Sequence, residues 1–212
     1  MSYRVQEIFP TLQGEGARTG TPAVFLRFSG CNLWSGREDD RASATCRFCD
    51  TAFTSADGRD GGTYPDADSL ADIVASHRNT SGGPRWVVCT GGEPLLQLDQ
   101  DLIDALRDRG FLVAVETNGT IAVPPGLDWI CVSPKAGAKW VQKGGHELKI
   151  VWPQPFDLDE LEKLSFDHFF LQPQDHRDPV VRERHLRDTV QEVMTRPLWR
   201  LSLQTHKLIG IP

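Results

Sequence analysis

The feature that most constrains this chain is an alternation of short apolar, β-branched runs with helix-like apolar stripes. Runs at Val5–Phe9, Ala23–Phe28, Trp86–Cys89, Phe111–Val115, Trp129–Val132, Glu147–Val151, His168–Leu171 and Leu198–Leu203 have the length and composition of strands. Several are apolar at nearly every position, as in Trp86-Val87-Val88-Cys89, which suits strands covered on both faces. Between them, Leu70, Ile73, Val74 and His77 keep an i, i+3, i+4, i+7 spacing, and Leu98, Leu102, Ala105 and Leu106 form a similar stripe. Asp178 before Pro179 reads as the N-cap and first position of a helix carrying Leu186, Val190, Val193 and Met194. Strands alternating with helices predict an α/β fold with a largely parallel sheet. The segment Asn32–Thr63, rich in charge, Ser and Gly, fits neither pattern and predicts a long loop region.

Length and charge narrow the class. A chain of 212 residues suits one domain with a real core. The net charge is -6 and no dense Lys/Arg run is present, so no nucleic-acid partner is expected. The segment Met1–Glu7 lacks the apolar stretch of a secretion signal, and no window approaches ~18 consecutive apolar residues. The expectation is a cytoplasmic protein with no membrane partner.

Five cysteines are present, and an odd count argues against a disulfide framework. Three of them follow the spacing Cys31-x14-Cys46-x2-Cys49. Thiolates are soft ligands, suited to zinc or to iron–sulfur clusters. A 4Fe-4S cubane held by three cysteines would leave one iron open for a chelating cofactor. A zinc site completed by one of the histidines, or three separately buried cysteines, also fits the spacing. Cys89 and Cys131 lie in apolar strands and read as packed small hydrophobes.

Polar groups recur where the strands end. Trp86–Cys89 runs into Thr90-Gly91-Gly92-Glu93-Pro94, Phe111–Val115 into Glu116-Thr117-Asn118-Gly119, Trp129–Val132 into Ser133-Pro134-Lys135, and His168–Leu171 into Gln172-Pro173-Gln174-Asp175. In parallel α/β sheets and barrels that edge is where ligands bind. One such turn is ordinary; four in succession behind a three-cysteine loop indicate one site.

These residues resemble the radical S-adenosylmethionine (SAM) superfamily, whose three cysteines are usually spaced C-x3-C-x2-C. Here Ser35 stands where the second cysteine would fall, and an insertion of 11 residues, Ser35 to Thr45, displaces it to Cys46. Within the superfamily the chain is similar to the 7-carboxy-7-deazaguanine synthases. The resemblance rests on Thr11-Leu12-Gln13-Gly14-Glu15-Gly16, Phe25-Leu26-Arg27-Phe28-Ser29-Gly30-Cys31-Asn32-Leu33, Cys49-Asp50-Thr51, Thr90-Gly91-Gly92-Glu93-Pro94-Leu95 and the three later strand ends. It implies a compact, incomplete β/α barrel of radical SAM type over residues 1–212, with an enlarged cluster-binding loop at about 31–63.

The resemblance also implies the reaction. Such a lyase converts 6-carboxy-5,6,7,8-tetrahydropterin to 7-carboxy-7-deazaguanine with loss of ammonia, on the route to queuosine and related 7-deazapurines. Cys31, Cys46 and Cys49 would hold the 4Fe-4S cluster. Phe48, Cys49, Asp50, Gly92, Glu116, Ser133, Pro134, Lys135, Pro173, Gln174, Asp175 and His176 would contact SAM. Leu12, Gln13, Gly14, Arg27, Thr90 and the Pro212 carboxylate would contact the pterin, and Thr51 would ligate Mg2+. Arg27 suits the substrate carboxylate because its fork matches that geometry. Leu208-Ile209-Gly210-Ile211-Pro212 is too apolar for a tail left in water, so it is expected to dock. An external one-electron donor and a homodimer are further implications. A glycyl-radical activase and a zinc-stabilised binding module remain the alternatives at this point.

Overall fold

The computed structural model describes residues 1–77 and 84–212. The apolar runs become strands β1 (Tyr3–Leu12), β2 (Pro22–Phe28), β4 (Arg85–Gly91), β5 (Phe111–Thr117), β6 (Trp129–Val132), β7 (Gly144–Trp152), β8 (Ser165–Pro173) and β9 (Trp199–Leu201), joined by a short β3 (Gly62–Tyr64). Helices α1 (Ala67–Ser76), α2 (Gln100–Asp108), α3 (Leu158–Leu161), α4 (Pro179–Thr195) and α5 (Thr205–Ile209) alternate with them. The strands form one nine-stranded sheet in the order β3-β1-β2-β4-β5-β6-β7-β8-β9. From β2 to β9 every neighbouring pair is parallel. Only the β1–β2 and β1–β3 pairs are antiparallel. The sheet keeps two free edges, so it is the expected α/β partial barrel, left open. Among the described residues no helix is long and apolar enough to cross a membrane.

Parallel register carries one consequence for the site. All the strand ends from β2 to β9 point the same way, so Cys31, Gly92, Asn118, Ser133 and Gln174 emerge at one edge. The period of two then divides the side chains. Val87 and Cys89 of β4, with Val113 and Val115 of β5, join Leu70, Leu102 and Leu106 in a core beneath α1 and α2. Leu148 and Ile150 of β7 join Phe169, Leu171, Leu158 and Trp199 in a second core. The alternate positions, including Arg27, Thr90, Glu116, Lys149 and Gln172, face a cavity.

Three expectations need correction. The segment Asn32–Thr63 is not loop throughout: it contains a 3-10 turn at Glu38–Ser43 and the start of β3, which pairs along β1. Helix α4 starts at Asp178, whose side chain accepts from the Val180 amide, but it does not bury the proposed apolar stripe. Leu186 and Met194 are 40% and 77% exposed, whereas His185 and Thr189 are buried. His185 faces inward because its Nδ1 meets the Gln174 carbonyl at 3.1 Å, a polar contact that apolar periodicity does not encode. His77 closes the α1 stripe from outside the helix, at its C-cap, and pairs with Asp60 at 2.9 Å.

Candidate active site

A cavity of about 300 Å3 opens at the carboxyl edge of the parallel strands. Cys31, Cys46 and Cys49 all line it; Cys89 and Cys131 do not. Cys31 follows β2 directly, whereas Cys46 must return from the far end of the insertion. Two backbone bonds bring it back: Thr45 N and Cys46 N donate to the Leu33 carbonyl at 3.1 and 3.4 Å. Arg41 pins the Cys-x-x-Cys turn, donating from Nη1 to the carbonyls of Arg47 (2.9 Å) and Cys49 (3.1 Å). Its guanidinium lies 3.9 Å from the centre of the buried Trp34 ring. The insertion is thus a folded outgrowth that leaves the ligand set intact. Ser35 is exposed and hydrogen-bonds Asp40 at 2.5 Å, away from the cavity.

The donor set fits a cluster. A hydrogen bond from Cys46 lowers the Cys49 thiol to about 6, against the cost of burial. The same bond and burial push Cys46 up, and burial pushes Cys31 up. One thiolate is therefore ready-made, and the others are released on metal binding. Leu33 N donates to Cys31 Sγ at 3.4 Å, a contact that thiolate sulfurs accept in iron–sulfur sites. Among the described residues no three His, Cys, Asp or Glu side chains close on one point as a single metal ion requires. The ligands of a cubane attach to different iron corners, so three thiols that line one cavity suit it without closing on a single point. Gly92 must be glycine here: a Cβ would lie 2.1 Å from the Gly30 oxygen and 2.8 Å from Cys31 Cβ.

Glu93 braces this edge from behind. It is fully buried and accepts from Leu95 N (3.0 Å), Thr117 Oγ1 (2.7 Å) and Asn118 N (2.7 Å). Burial raises its carboxyl, and the hydrogen bonds oppose that rise. It does not line the cavity, so its part is to tie β4 to β5.

The other residues singled out in the sequence mostly converge. Leu12, Gln13, Gly14, Arg27, Phe48, Asp50, Thr51, Thr90, Glu116, Ser133, Lys135, Pro173, Gln174, Asp175 and Pro212 line the same cavity. Two stand elsewhere: Pro134 is buried and does not line it, and His176 is exposed in an adjoining cleft. Arg27 gives its Nε to Glu7 at 2.7 Å, so the ion pair it makes uses one edge of the fork. The tail docks, though by polar contacts. Thr205 N and Oγ1 both donate to the Gly14 carbonyl at 2.9 Å, and Thr11 Oγ1 donates to the Pro212 carbonyl at 2.6 Å. Leu208 and Ile209 stay exposed.

Several cavity residues were not singled out. Lys149, on β7, donates to Glu15 and Glu116 at 2.6 Å each. Gln204 donates to Glu15 at 3.0 Å, and Lys207 bridges Asp50 (2.6 Å) and Asp175 (2.8 Å). His206 packs against Gly14, where a Cβ would fall 2.0 Å from its Nδ1. A signal existed for Lys149: Glu147 and Lys149 alternate with Leu148 and Ile150 inside a buried strand.

Comparison with known proteins places this geometry in a lineage. The chain is 56% identical over 213 residues to the 7-carboxy-7-deazaguanine synthase of Bordetella pertussis, and 58% identical over 212 residues to that of Bradyrhizobium diazoefficiens, each match covering 100% of both chains. The crystal structure of QueE from Escherichia coli superposes with a TM-score of 0.69 at 28% identity, over 96% of this chain and 94% of that one. No family model matches the sequence.

Proposed function

The chain belongs to the 7-carboxy-7-deazaguanine synthase family of radical SAM enzymes, and on that footing we propose how its cavity carries the reaction. It is a lyase that converts 6-carboxy-5,6,7,8-tetrahydropterin to 7-carboxy-7-deazaguanine with loss of ammonia, in 7-deazapurine biosynthesis. The observation that carries the reading is the convergence of the three cysteines and the four polar strand ends on one cavity.

A 4Fe-4S cluster with SAM, when bound, supplies the radical that takes a hydrogen atom from the substrate carbon. The chain's own residues bind, orient and enclose. Cys31, Cys46 and Cys49 would hold the cluster, which would supply the electron that cleaves SAM. The Phe48–Asp50 backbone, Gly92, Ser133, Lys135, Pro173, Gln174 and Asp175 form the cofactor's walls. Lys135 Nζ donates to Ser133 Oγ at 2.9 Å. Leu12, Gln13, Gly14, Thr90 and Pro212 cradle the pterin. Arg27 takes its carboxylate with the terminal nitrogens that Glu7 leaves free. Thr51, which lines the cavity, would offer its hydroxyl to Mg2+, a hard ion that prefers oxygen ligands. Tight positioning matters most, because an unguided carbon radical attacks any neighbouring C–H bond.

The protein is proposed to work in the cytoplasm as a homodimer reduced by an external one-electron donor. The reduced, reconstituted protein is tested with SAM and the carboxytetrahydropterin: 7-carboxy-7-deazaguanine and free ammonia are expected. SAM cleavage without deazaguanine would refute the substrate assignment.

A further inference from the structure

We infer that Lys149 is a positioning residue: its ammonium holds the Glu15 and Glu116 carboxylates together in the cavity as a paired acceptor for the N–H-rich 2-aminopyrimidinone edge of the pterin. The inference rests on the proposed function and assigns a part of the cavity that it leaves without a role.

Lys149 sits in mid-strand on β7, with its side chain 3% exposed. Its Nζ reaches Glu15 Oε2, on the segment that follows β1, and Glu116 Oε2, on β5, each at 2.6 Å. The outer oxygens are also held: Gln204 Nε2 donates to Glu15 Oε1 at 3.0 Å, and Gln13 Nε2 to Glu116 Oε1 at 2.9 Å. A carboxylate accepts about four hydrogen bonds, so each keeps lone pairs unused. Because all five residues line the cavity, those lone pairs are available to a ligand there.

The charge balance is uneven. Two carboxylates share one ammonium, and the excess negative charge calls for donors. A 2-aminopyrimidinone ring presents an exocyclic amino group beside a ring N–H, a row of donors matched to adjacent carboxylate oxygens. Gln13 is among the residues that the resemblance assigns to the pterin, and Glu116 is bound to it here; this places Glu116 on the substrate side rather than the cofactor side.

Lys149 also sets the ionisation of Glu15. Burial by itself would raise the Glu15 carboxyl, and the adjacent ammonium outweighs it, holding Glu15 at about 2. Four other groups face the cluster: Cys131 on β6, Glu147 on β7, His206 on α5 and, behind Glu147, Arg18. Glu147 is turned away. It accepts from Ala17 N (3.0 Å) and the Cys131 thiol (3.4 Å), and burial raises its carboxyl. Cys131 is kept as a thiol by burial, and His206 is kept neutral by burial. None of these replaces the ammonium. Without it, two half-buried like charges would face one cavity with no counter-ion, which favours uptake of a proton. A protonated carboxyl then presents a donor where the pterin needs an acceptor.

The test uses the reconstituted holoenzyme and the variants Lys149→Met and Lys149→Met/Glu116→Gln. For Lys149→Met, KM for the pterin is expected to rise on the order of 100-fold at neutral pH. Its kcat/KM should climb with pH across the range where the wild type is flat. The double variant, which also removes the neighbouring carboxylate and keeps only the burial of Glu15, should move that climb to lower pH. A purely structural lysine would lower Tm and leave KM and the pH profile unchanged, and that result overturns the inference. If Lys149→Met fails to fold, wild-type binding decides: a 2-desamino pterin analogue should bind weaker on the order of 100-fold, and equal binding overturns the inference. Wild-type turnover separates the two levels. Product from the wild type with an unaltered variant refutes only the part given to Lys149; no deazaguanine from the wild type refutes the functional reading as well.

Discussion

On β5, Val113 and Val115 face the helices and are completely buried among Leu102, Ile103 and Leu106, whereas Glu116, one residue further, faces the cavity and accepts a hydrogen bond from Gln13. The same contrast runs along β7, where Leu148 and Ile150 pack into the second core while Glu147 and Lys149 hold charge on the other side. The two faces share a backbone and differ in what burial does for them. Apolar burial on the helix side stabilises the fold by roughly 25 cal/mol per Å2. Buried charge on the cavity side stabilises little, because desolvation offsets the attraction within the ion pairs. One face therefore keeps the sheet folded and the other prepares it for a ligand. Substitutions on the two faces should fail in different ways.

The cysteine edge, where the two faces meet, should give the largest effect. Cys46→Ala is expected to lose the cluster and all turnover, while Ser35→Ala keeps both, as measured by iron and sulfide content after anaerobic reconstitution. A cluster lost in Ser35→Ala and retained in Cys46→Ala would reverse the loop's reading. On the helix face, Leu102→Ala should cost about 2–5 kcal/mol in denaturant melts yet leave kcat of the folded fraction unchanged. A kcat that falls in proportion to stability would blur the division between the faces.

The cavity face should show its charge in acid. The Glu15 carboxyl is held near 2 against an ordinary 4.5. A carboxyl depressed in the folded state stabilises fully above its unfolded value and loses that contribution as pH falls through the folded one. The stability of the wild type relative to Glu15→Gln is thus expected to be constant from about pH 7 to 5 and to shrink below about 4.5. A difference that widens on acidification would contradict the ion pair. The smallest and sharpest comparison uses two buried thiols. Cys89→Ala, in the helix-side core, should cost about 1 kcal/mol and leave catalysis alone. Cys131→Ala removes the donor to Glu147 on the cavity side and should lower kcat/KM several-fold with a similar loss of stability.

Much of the frame was legible because buried parallel strands write themselves as continuous apolar runs, and all eight runs became strands. β3 was not, since Gly62-Thr63-Tyr64 is a strand only through pairing with Tyr3–Val5, a partner far away in sequence. The cavity's edge was legible in the polar residues that close each strand. Its floor was not. Glu15, Lys149 and Gln204 meet across 189 residues of chain, and nothing local marks a lysine that two remote carboxylates will share. The apolar tail sequence predicts docking through Leu208 and Ile209, yet Thr205, Gln204 and Lys207 dock it while Leu208 and Ile209 remain in water.

The claim on which all of this depends is that Cys31, Cys46 and Cys49 hold one cubane with a free iron facing the cavity. Electron paramagnetic resonance of the reduced, anaerobically reconstituted protein, recorded before and after adding SAM, tests it most directly. Iron and sulfide in equal amounts are expected, with a cluster signal that changes when SAM binds. Stoichiometric zinc in their place, or a cluster signal indifferent to SAM, would contradict it.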